Sequence, residues 1–197
     1  MRLFVSVDLD GLADAVAGVQ KPLSGLPGLR LTDPAQAHVT VKFLGEGDHD
    51  VDVLVERLEA AVGRADVGPT ESDVGPTETD SDRGFDATFE RVGAFPSPEY
   101  IRVVWLGVGR GAEAMSELHR RIEAAMTAIG YDAERHEFTP HVTIARMDNA
   151  AAKGDVQRFL REANPDIGPL RVEELRLKES TLTPDGPKYR TVARVGI

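Results

Sequence analysis

The chain has 197 residues and no cysteine, which excludes disulfides, thiolate catalysis and metal sites held by cysteine. Its formal net charge is −10, and because phosphates repel an acidic surface, nonspecific binding of nucleic acid is disfavoured. The same charge favours a halophilic protein, since concentrated salt screens an acidic surface. No stretch approaches about 18 uncharged apolar residues, and Asp8 interrupts the first apolar segment, so we expect a cytoplasmic protein with no membrane span or signal peptide.

The first half of the chain alternates predicted strands and helices. Apolar side chains at every second position predict a strand over residues 2–9, and helical spacing predicts a short helix over 12–19. A strand over 38–45, a helix over 51–62 and a strand over 85–93 follow by the same criteria. The predicted order is therefore strand, helix, strand, helix, strand.

The second half of the chain repeats this order and adds one strand. The predicted elements are a strand over 100–108, a helix over 115–129, a strand over 141–147, a helix over 156–163, and strands over 171–179 and 188–196 around the turn sequence TPDGP. The two halves therefore share one pattern, in which the third element is a strand that begins with His-Val-Thr.

Residues 66–84 do not fit either pattern. They contain the heptapeptide VGPTESD followed directly by VGPTETD, with no helical or strand period. Proline, glycine and acidic residues without apolar periodicity are typical of a flexible surface loop. We therefore predict an acidic tandem-repeat loop, and a docking role for it stays open.

The tripeptide His-Val-Thr occurs twice, each time at the start of a predicted strand. The composition predicts only about 0.03 copies by chance, so the repeat indicates a shared role. Because side chains at i and i+2 of a strand share a face, His38 projects with Thr40. In the same way His141 projects with Thr143. Strict alternation places Lys42 next on the His38 face.

Two imidazoles and two hydroxyls on facing strands suit proton transfer at a phosphodiester. Imidazole titrates at about pH 6.5, so one histidine can take a proton from water while the other gives a proton to the leaving oxygen. Threonine hydroxyls can donate hydrogen bonds to non-bridging oxygens as charge develops there. This set best suits a strained cyclic phosphodiester that is opened without a metal.

Two other interpretations of the motif histidines stay open. Each could be an ordinary half-buried strand residue with a single hydrogen bond. Each could also be a metal ligand, although neither strand carries a carboxylate or a second histidine two residues away. Of the remaining histidines, His119 and His136 are predicted to be exposed, and His49 lies in an acidic loop.

With their flanking residues, the two motifs resemble those of the 2H phosphoesterase superfamily, and specifically the RNA 2′,3′-cyclic phosphodiesterases, also called 2′-5′ RNA ligases. The segments HVTVKFLG, VGAFPSPEYIRVVWLGV, EFTPHVTIAR and ESTLTPDGPKYRTVA are all similar to blocks of that family. The resemblance covers nearly the whole chain outside the duplicated loop. It implies one bilobed α+β domain over residues 1–197, in which two pseudo-symmetric antiparallel sheets line a central groove with helices outside.

The resemblance also implies metal-independent hydrolysis of RNA 2′,3′-cyclic phosphate ends to 2′-phosphates, with no cofactor. In that family the histidine of the first motif gives a proton to the leaving 3′ oxygen, and the histidine of the second accepts one from water. These roles carry over to His38 and His141. Thr40 and Thr143 would hold the phosphate oxygens.

Two basic residues follow the motifs at places where family members have basic residues, and they would supply local positive charge for the phosphate. Lys42 shares the His38 face by strict alternation. Alternation would place Arg146 on the face opposite His141, so a bulge or strand end must redirect it. Phe43 and Phe138 could stack on a base, but core packing is predicted for both.

The expected partners are RNA ends or short oligonucleotides with a 2′,3′-cyclic phosphate, bound by a monomer away from any membrane. Hydrolysis is reversible in principle, so the same site could run backwards as a weak 2′-5′ RNA ligase. Two alternatives stay open. One is the same fold acting on another cyclic phosphate or a 2′-5′ oligonucleotide, and the other is a non-catalytic RNA-end binder that uses its histidines to grip phosphate.

Overall fold

The computed structural model describes residues 1–63, 84–184 and 186–197. Apart from Gly84, the predicted loop 66–84 lies outside the described residues. The elements in chain order are β1 (Arg2–Asp8), α1 (Ala13–Gln20), β2 (Leu29–Leu31), β3 (His38–Glu46), α2 (Val51–Val62), β4 (Phe85–Ala87), β5 (Phe89–Ser97), β6 (Tyr100–Val108), α3 (Ala112–Thr127), β7 (His141–Met147), α4 (Lys153–Glu162), β8 (Leu170–Val172), β9 (Glu174–Thr183) and β10 (Gly186–Gly196).

The predicted elements are confirmed with small shifts at their ends. The predicted strand over 85–93 is split into β4 and β5, the predicted strand over 171–179 is split into β8 and β9, and the short strand β2 was not predicted. None of the helices in the described part of the chain is long and apolar enough to cross a membrane.

The strands form one large antiparallel sheet in the order β10-β9-β1-β3-β7-β6-β5, with β2 added beside β7. The strands β4 and β8 form a separate pair. Only one residue pair, Val39 with Val142, joins β3 to β7 in the register of the described strands. The α+β class is therefore confirmed, and the two sheets implied by the resemblance are the two halves of one sheet with a narrow junction.

The helices cover one face of the sheet, with two helices on each half. The helices α2 and α3 pack together and lie against the half formed by β10, β9, β1 and β3, whereas α1 contacts β7 and α4 contacts β5. Because β9 pairs with β1 and α3 packs on β3, the first of these halves contains elements from both ends of the chain. The repeated sequence pattern therefore does not correspond to two consecutive lobes.

Apolar burial fixes which way each strand faces. Leu3, Val5 and Val7 of β1, and Val39 and Val41 of β3, are at most 2% exposed on the helix-covered face. Each such side chain contributes roughly 1.5–3 kcal/mol when it is buried. A slip of one residue would turn the polar motif side chains into this core, so the register of the motif strands is strongly specified.

Candidate active site

The two His-Val-Thr motifs meet where β3 and β7 run side by side. Their antiparallel register is set by the pair Val39–Val142. Counting outward from this one pair, His38 corresponds to Thr143 and Thr40 to His141, related by a local two-fold axis through the valine pair. The structure therefore brings the four predicted motif side chains together on the face of the sheet that the helices leave open, which we call the motif face.

The ring of His38 has one nitrogen fixed and one nitrogen available. Its Nδ1 lies 2.8 Å from the carbonyl oxygen of Gln36, and because a carbonyl can only accept, Nδ1 carries the proton. The ring packs against both Phe4 and Tyr189, with centroids 5.1 and 5.0 Å away. The neutral form of His38 therefore keeps its lone pair on Nε2.

His141 is held in the same way by different residues. Its Nδ1 donates to the carbonyl oxygen of Thr139 at 2.6 Å. The ring meets Phe95 edge-on, with centroids 4.9 Å apart, and Trp105 lies 6.2 Å away. Each motif histidine thus donates to the carbonyl two residues before it, contacts two aromatic rings, and keeps the lone pair of Nε2.

Both imidazoles have a pKa below the ordinary value of 6.5. Burial is the main cause in each case, and the carbonyl bonds to Nδ1 oppose it. The positive charge of Lys178 lowers the pKa of His38 further, and Arg146 does the same for His141. Both histidines are therefore neutral at pH 7 before an anion binds.

The prediction that Lys42 shares the His38 face is wrong. Thr40 pairs with Ser6, and Lys42 pairs with Val5, the residue directly before Ser6. Two steps along β3 therefore match one step along β1, so β3 has a bulge at Val41. The bulge turns Lys42 to the helix-covered face, where it is 1% exposed. Its ammonium group lies 2.7 Å from the carboxylate of Glu123, away from the motif face.

A bulge at the equivalent place in β7 has the opposite effect on Arg146. Trp105 pairs with Thr143 and Val104 pairs with Ala145, so one residue of β7 is extra. Ala145 then occupies the position equivalent to Lys42, and Arg146 returns to the motif face as the sequence required. Arg146 is exposed, and its charge acts on His141.

Of four further side chains, two correct the sequence predictions and two agree with them. Phe43 is 43% exposed rather than in the core, because the bulge in β3 shifts its direction as well. His119 is buried rather than exposed, and its ring stacks on Phe138 with centroids 4.1 Å apart. Phe138 therefore packs against the core as predicted, and His136 is exposed as predicted.

Sequence reasoning missed an ion cluster beside His38. Asp8 lies opposite His38 in the register, and its carboxylate accepts hydrogen bonds from Lys178 at 2.6 Å and Arg176 at 2.9 Å. Burial opposes the charge of Asp8, but these donors and Ser6 hold its pKa below the ordinary range. The available signal was the spacing of Arg176 and Lys178, two residues apart on a strand whose other face is apolar.

Within the described ranges, no three histidine or acidic side chains come together in a way that could hold a metal ion. The motif histidines contribute one available nitrogen each, from two different strands. The local chemistry of the motif face is therefore that of two imidazoles, two hydroxyls and the guanidinium of Arg146, with the ion cluster of Asp8, Arg176 and Lys178 beside His38.

Comparisons with known proteins match most of the length of the chain. The family model of the 2′-5′ RNA ligase superfamily matches residues 11–181. The chain is 33% identical over 195 residues to an RNA 2′,3′-cyclic phosphodiesterase of Methanothermobacter thermautotrophicus, covering 96% of this chain and 95% of the relative. It is also 33% identical over 194 residues to an RNA 2′,3′-cyclic phosphodiesterase of Archaeoglobus fulgidus, covering 96% and 97%.

Solved structures share the fold at lower sequence identity. The structure of TT0787 of Thermus thermophilus superposes with a TM-score of 0.73 at 23% identity, covering 100% of this chain and 97% of that one. The structure of E. coli LigT complexed with 3′-AMP gives a TM-score of 0.70 at 20% identity, with the same coverage.

Proposed function

Because the chain belongs to the 2′-5′ RNA ligase superfamily, we propose that it opens 2′,3′-cyclic phosphate ends of RNA to 2′-phosphates by a two-histidine mechanism. The observation that carries the proposal is the two-fold arrangement of the motifs about Val39–Val142. It gives two imidazoles with the same tautomer on one face, each with Nε2 as the nitrogen that can exchange a proton with substrate. Neither step needs a metal or a cofactor.

The two histidines have different roles in the proposed reaction. Neutral His141 takes a proton from water as its oxygen attacks phosphorus, and protonated His38 gives a proton to the 3′ oxygen as the phosphorus–oxygen bond breaks. Arg146 favours the neutral form of His141 that a base requires. The negative charge of a bound phosphate would raise the pKa of His38, because an anion stabilises the imidazolium.

The threonines and Arg146 stabilise charge on the phosphate. The hydroxyls of Thr40 and Thr143 donate to the non-bridging oxygens from opposite sides of the two-fold axis. Arg146 supplies positive charge at the site, which a protein of net charge −10 needs for an anionic substrate. Phe43, exposed on the motif face under the guanidinium of Arg2 at 4.9 Å, offers a ring for a nucleobase to stack on.

The substrate we propose is a short RNA end rather than a long duplex, since the acidic chain is a poor match for extended phosphate backbone. With the 5′-hydroxyl of a second RNA in place of water, the same groups would form a 2′-5′ linkage: His141 takes the proton of that hydroxyl as its oxygen attacks phosphorus, and His38 protonates the departing 3′ oxygen. Weak 2′-5′ ligation is therefore part of the proposal. We also propose a cytoplasmic monomer.

The proposal is tested by incubating a short RNA that ends in 2′,3′-cyclic phosphate with the protein in EDTA, at low and high salt, and identifying the phosphate position in the product. We expect EDTA-resistant formation of the 2′-phosphate. A product with a 3′-phosphate would contradict the assigned leaving group. Tight binding without turnover in any salt would indicate an RNA-end binder, and turnover of only other cyclic phosphates would indicate a different substrate.

A further inference from the structure

Residues 131–140, which we call the approach segment, lead from α3 to His141. The segment has no regular secondary structure, and most of its side chains are exposed. Its last residue but one is Thr139, whose carbonyl oxygen accepts the Nδ1 proton of His141 at 2.6 Å. Since that bond sets the tautomer of His141, the position of the segment matters for the proposed function.

The first anchor of the approach segment is Lys42. Its ammonium group donates to the carbonyl oxygen of Asp132 at 2.8 Å and pairs with Glu123 of α3 at 2.7 Å. The other carboxylate oxygen of Glu123 accepts the backbone N–H of Glu134 at 2.7 Å. A lysine on the first motif strand therefore ties the start of the segment to α3 through charge-assisted bonds.

The second anchor is His119, which binds the backbone of β3 at its bulge. Val41 is the residue without a partner in the register with β1, and its carbonyl oxygen accepts a hydrogen bond from Nδ1 of His119 at 2.7 Å. The ring of His119 is nearly parallel to Phe138, with an interplanar angle of 8°. The bulge thus fixes the imidazole that supports the segment one residue before Thr139.

A third anchor reaches the far end of the same strand. The hydroxyl of Tyr131 donates to Nδ1 of His49 at 2.8 Å, and Nε2 of His49 lies 3.2 Å from the carbonyl oxygen of Gly45, to which it donates. All three anchors lead to β3, the strand that carries the first motif.

We propose that Lys42 and His119, supported by His49, are positioning residues that hold the tautomer and orientation of His141 from the reverse side of the sheet. The inference rests on the proposed function only in assigning His141 a role at the phosphate. Lys42 does more than fill space in the core, because an apolar side chain of similar volume would pack there without binding the carbonyl of Asp132. The strand of the first motif thereby sets the geometry of the second.

The test uses Lys42→Met and His119→Asn, with Lys21→Met as the control at an exposed lysine. The asparagine amide keeps a donor for Val41 but removes the ring beneath Phe138. Nitrogen-15 NMR of the histidine side chains is recorded on the unliganded proteins. We expect His141 to lose its single Nδ1–H tautomer in both variants, while His38, held by Gln36, keeps its own and serves as an internal control.

Turnover of the cyclic-phosphate RNA gives the second readout. We expect kcat to fall about 10- to 100-fold with KM changed by less than about threefold, since a small misplacement of a catalytic group affects the transition state more than binding. Folded variants with unchanged His141 signals would overturn the proposal, as would equal changes at His38 and His141.

The proposal can still be tested if a variant does not fold or if the wild-type protein shows no turnover. If Lys42→Met does not fold, the double variant Lys42→Met with Glu123→Leu removes the uncompensated carboxylate, and His119→Asn tests the same claim independently. If the wild-type protein turns over no cyclic phosphate, the proposed function fails, while the NMR comparison still decides whether these residues hold His141.

Discussion

Replacing Lys42 with methionine distinguishes a structural lysine from one that binds substrate. The Lys42 side chain is 1% exposed and that of Glu123 is 21% exposed, so the variant leaves a mostly buried carboxylate without its ammonium partner. Breaking a buried pair on one side costs about 3–5 kcal/mol, and the partial exposure of Glu123 places the expected loss near the lower end, about 3 kcal/mol at pH 7. For a chain of this size that corresponds to a fall in Tm of about 6–12 °C.

The loss should also depend on pH in a defined direction. Burial raises the pKa of Glu123, but the bonds from Lys42 and Glu134 outweigh it, so the folded pKa lies below the ordinary 4.5. Their contribution is therefore complete above pH 4.5 and is lost as the pH falls through the folded value. In Lys42→Met, burial without the lysine favours the protonated carboxyl, so the difference in stability from wild type should shrink as the pH approaches 4.5.

The assay is urea unfolding followed by circular dichroism at neutral and mildly acidic pH, with Lys21→Met as the matched control. The control should differ from wild type by less than about 0.5 kcal/mol, as exposed substitutions usually do. An unchanged free energy of unfolding in Lys42→Met, combined with weaker RNA binding, would refute the reasoning and return Lys42 to the substrate site.

Three other outcomes follow from the motif face. The pH profile of kcat/KM should be bell-shaped with its maximum below pH 6.5, because one histidine must be protonated and the other neutral while both have a lowered pKa; a maximum above pH 7 would contradict this. Arg146→Gln should lower kcat/KM about 10- to 100-fold, because the charge-assisted bond to phosphate is lost. It should also move the acid limb of the pH profile to higher pH, because the pKa of His141 rises without the nearby positive charge. An acid limb at the same pH would show that Arg146 does not influence the pKa of His141. Phe43→Ala should raise KM for an oligonucleotide about 5- to 100-fold with kcat unchanged, and an unchanged KM would exclude stacking there.

The strands and their faces could be predicted because burial and alternation determine them together. The valines of each His-Val-Thr motif are apolar between polar neighbours, and only one register buries them. The predicted face of both histidines and both threonines followed directly from that rule. The helices were predicted for the same reason, since their apolar stripes match the helical period.

What could not be predicted lies beyond Thr40 and Thr143, where each strand has a bulge. A bulge reverses the faces that follow it, so alternation placed both Lys42 and Phe43 on the wrong side. At the bulge in β3, the carbonyl oxygen of Val41 accepts a hydrogen bond from His119, which lies 78 residues away in the chain. A contact of that separation leaves no trace in local periodicity, which is why His119 was predicted to be exposed.

The most direct test of the central claim compares two substrates that differ in whether the leaving group must be protonated. One is RNA ending in 2′,3′-cyclic phosphate, and the other is a nucleoside 2′-phosphodiester whose leaving group is nitrophenolate, which departs without protonation. His38→Ala should lose about 10²–10⁴-fold in kcat on the cyclic phosphate but little on the nitrophenyl ester, whereas His141→Ala should lose activity on both. Equal losses in the two variants on both substrates, or retained activity in either on the cyclic phosphate, would contradict the proposed division of labour between the two histidines.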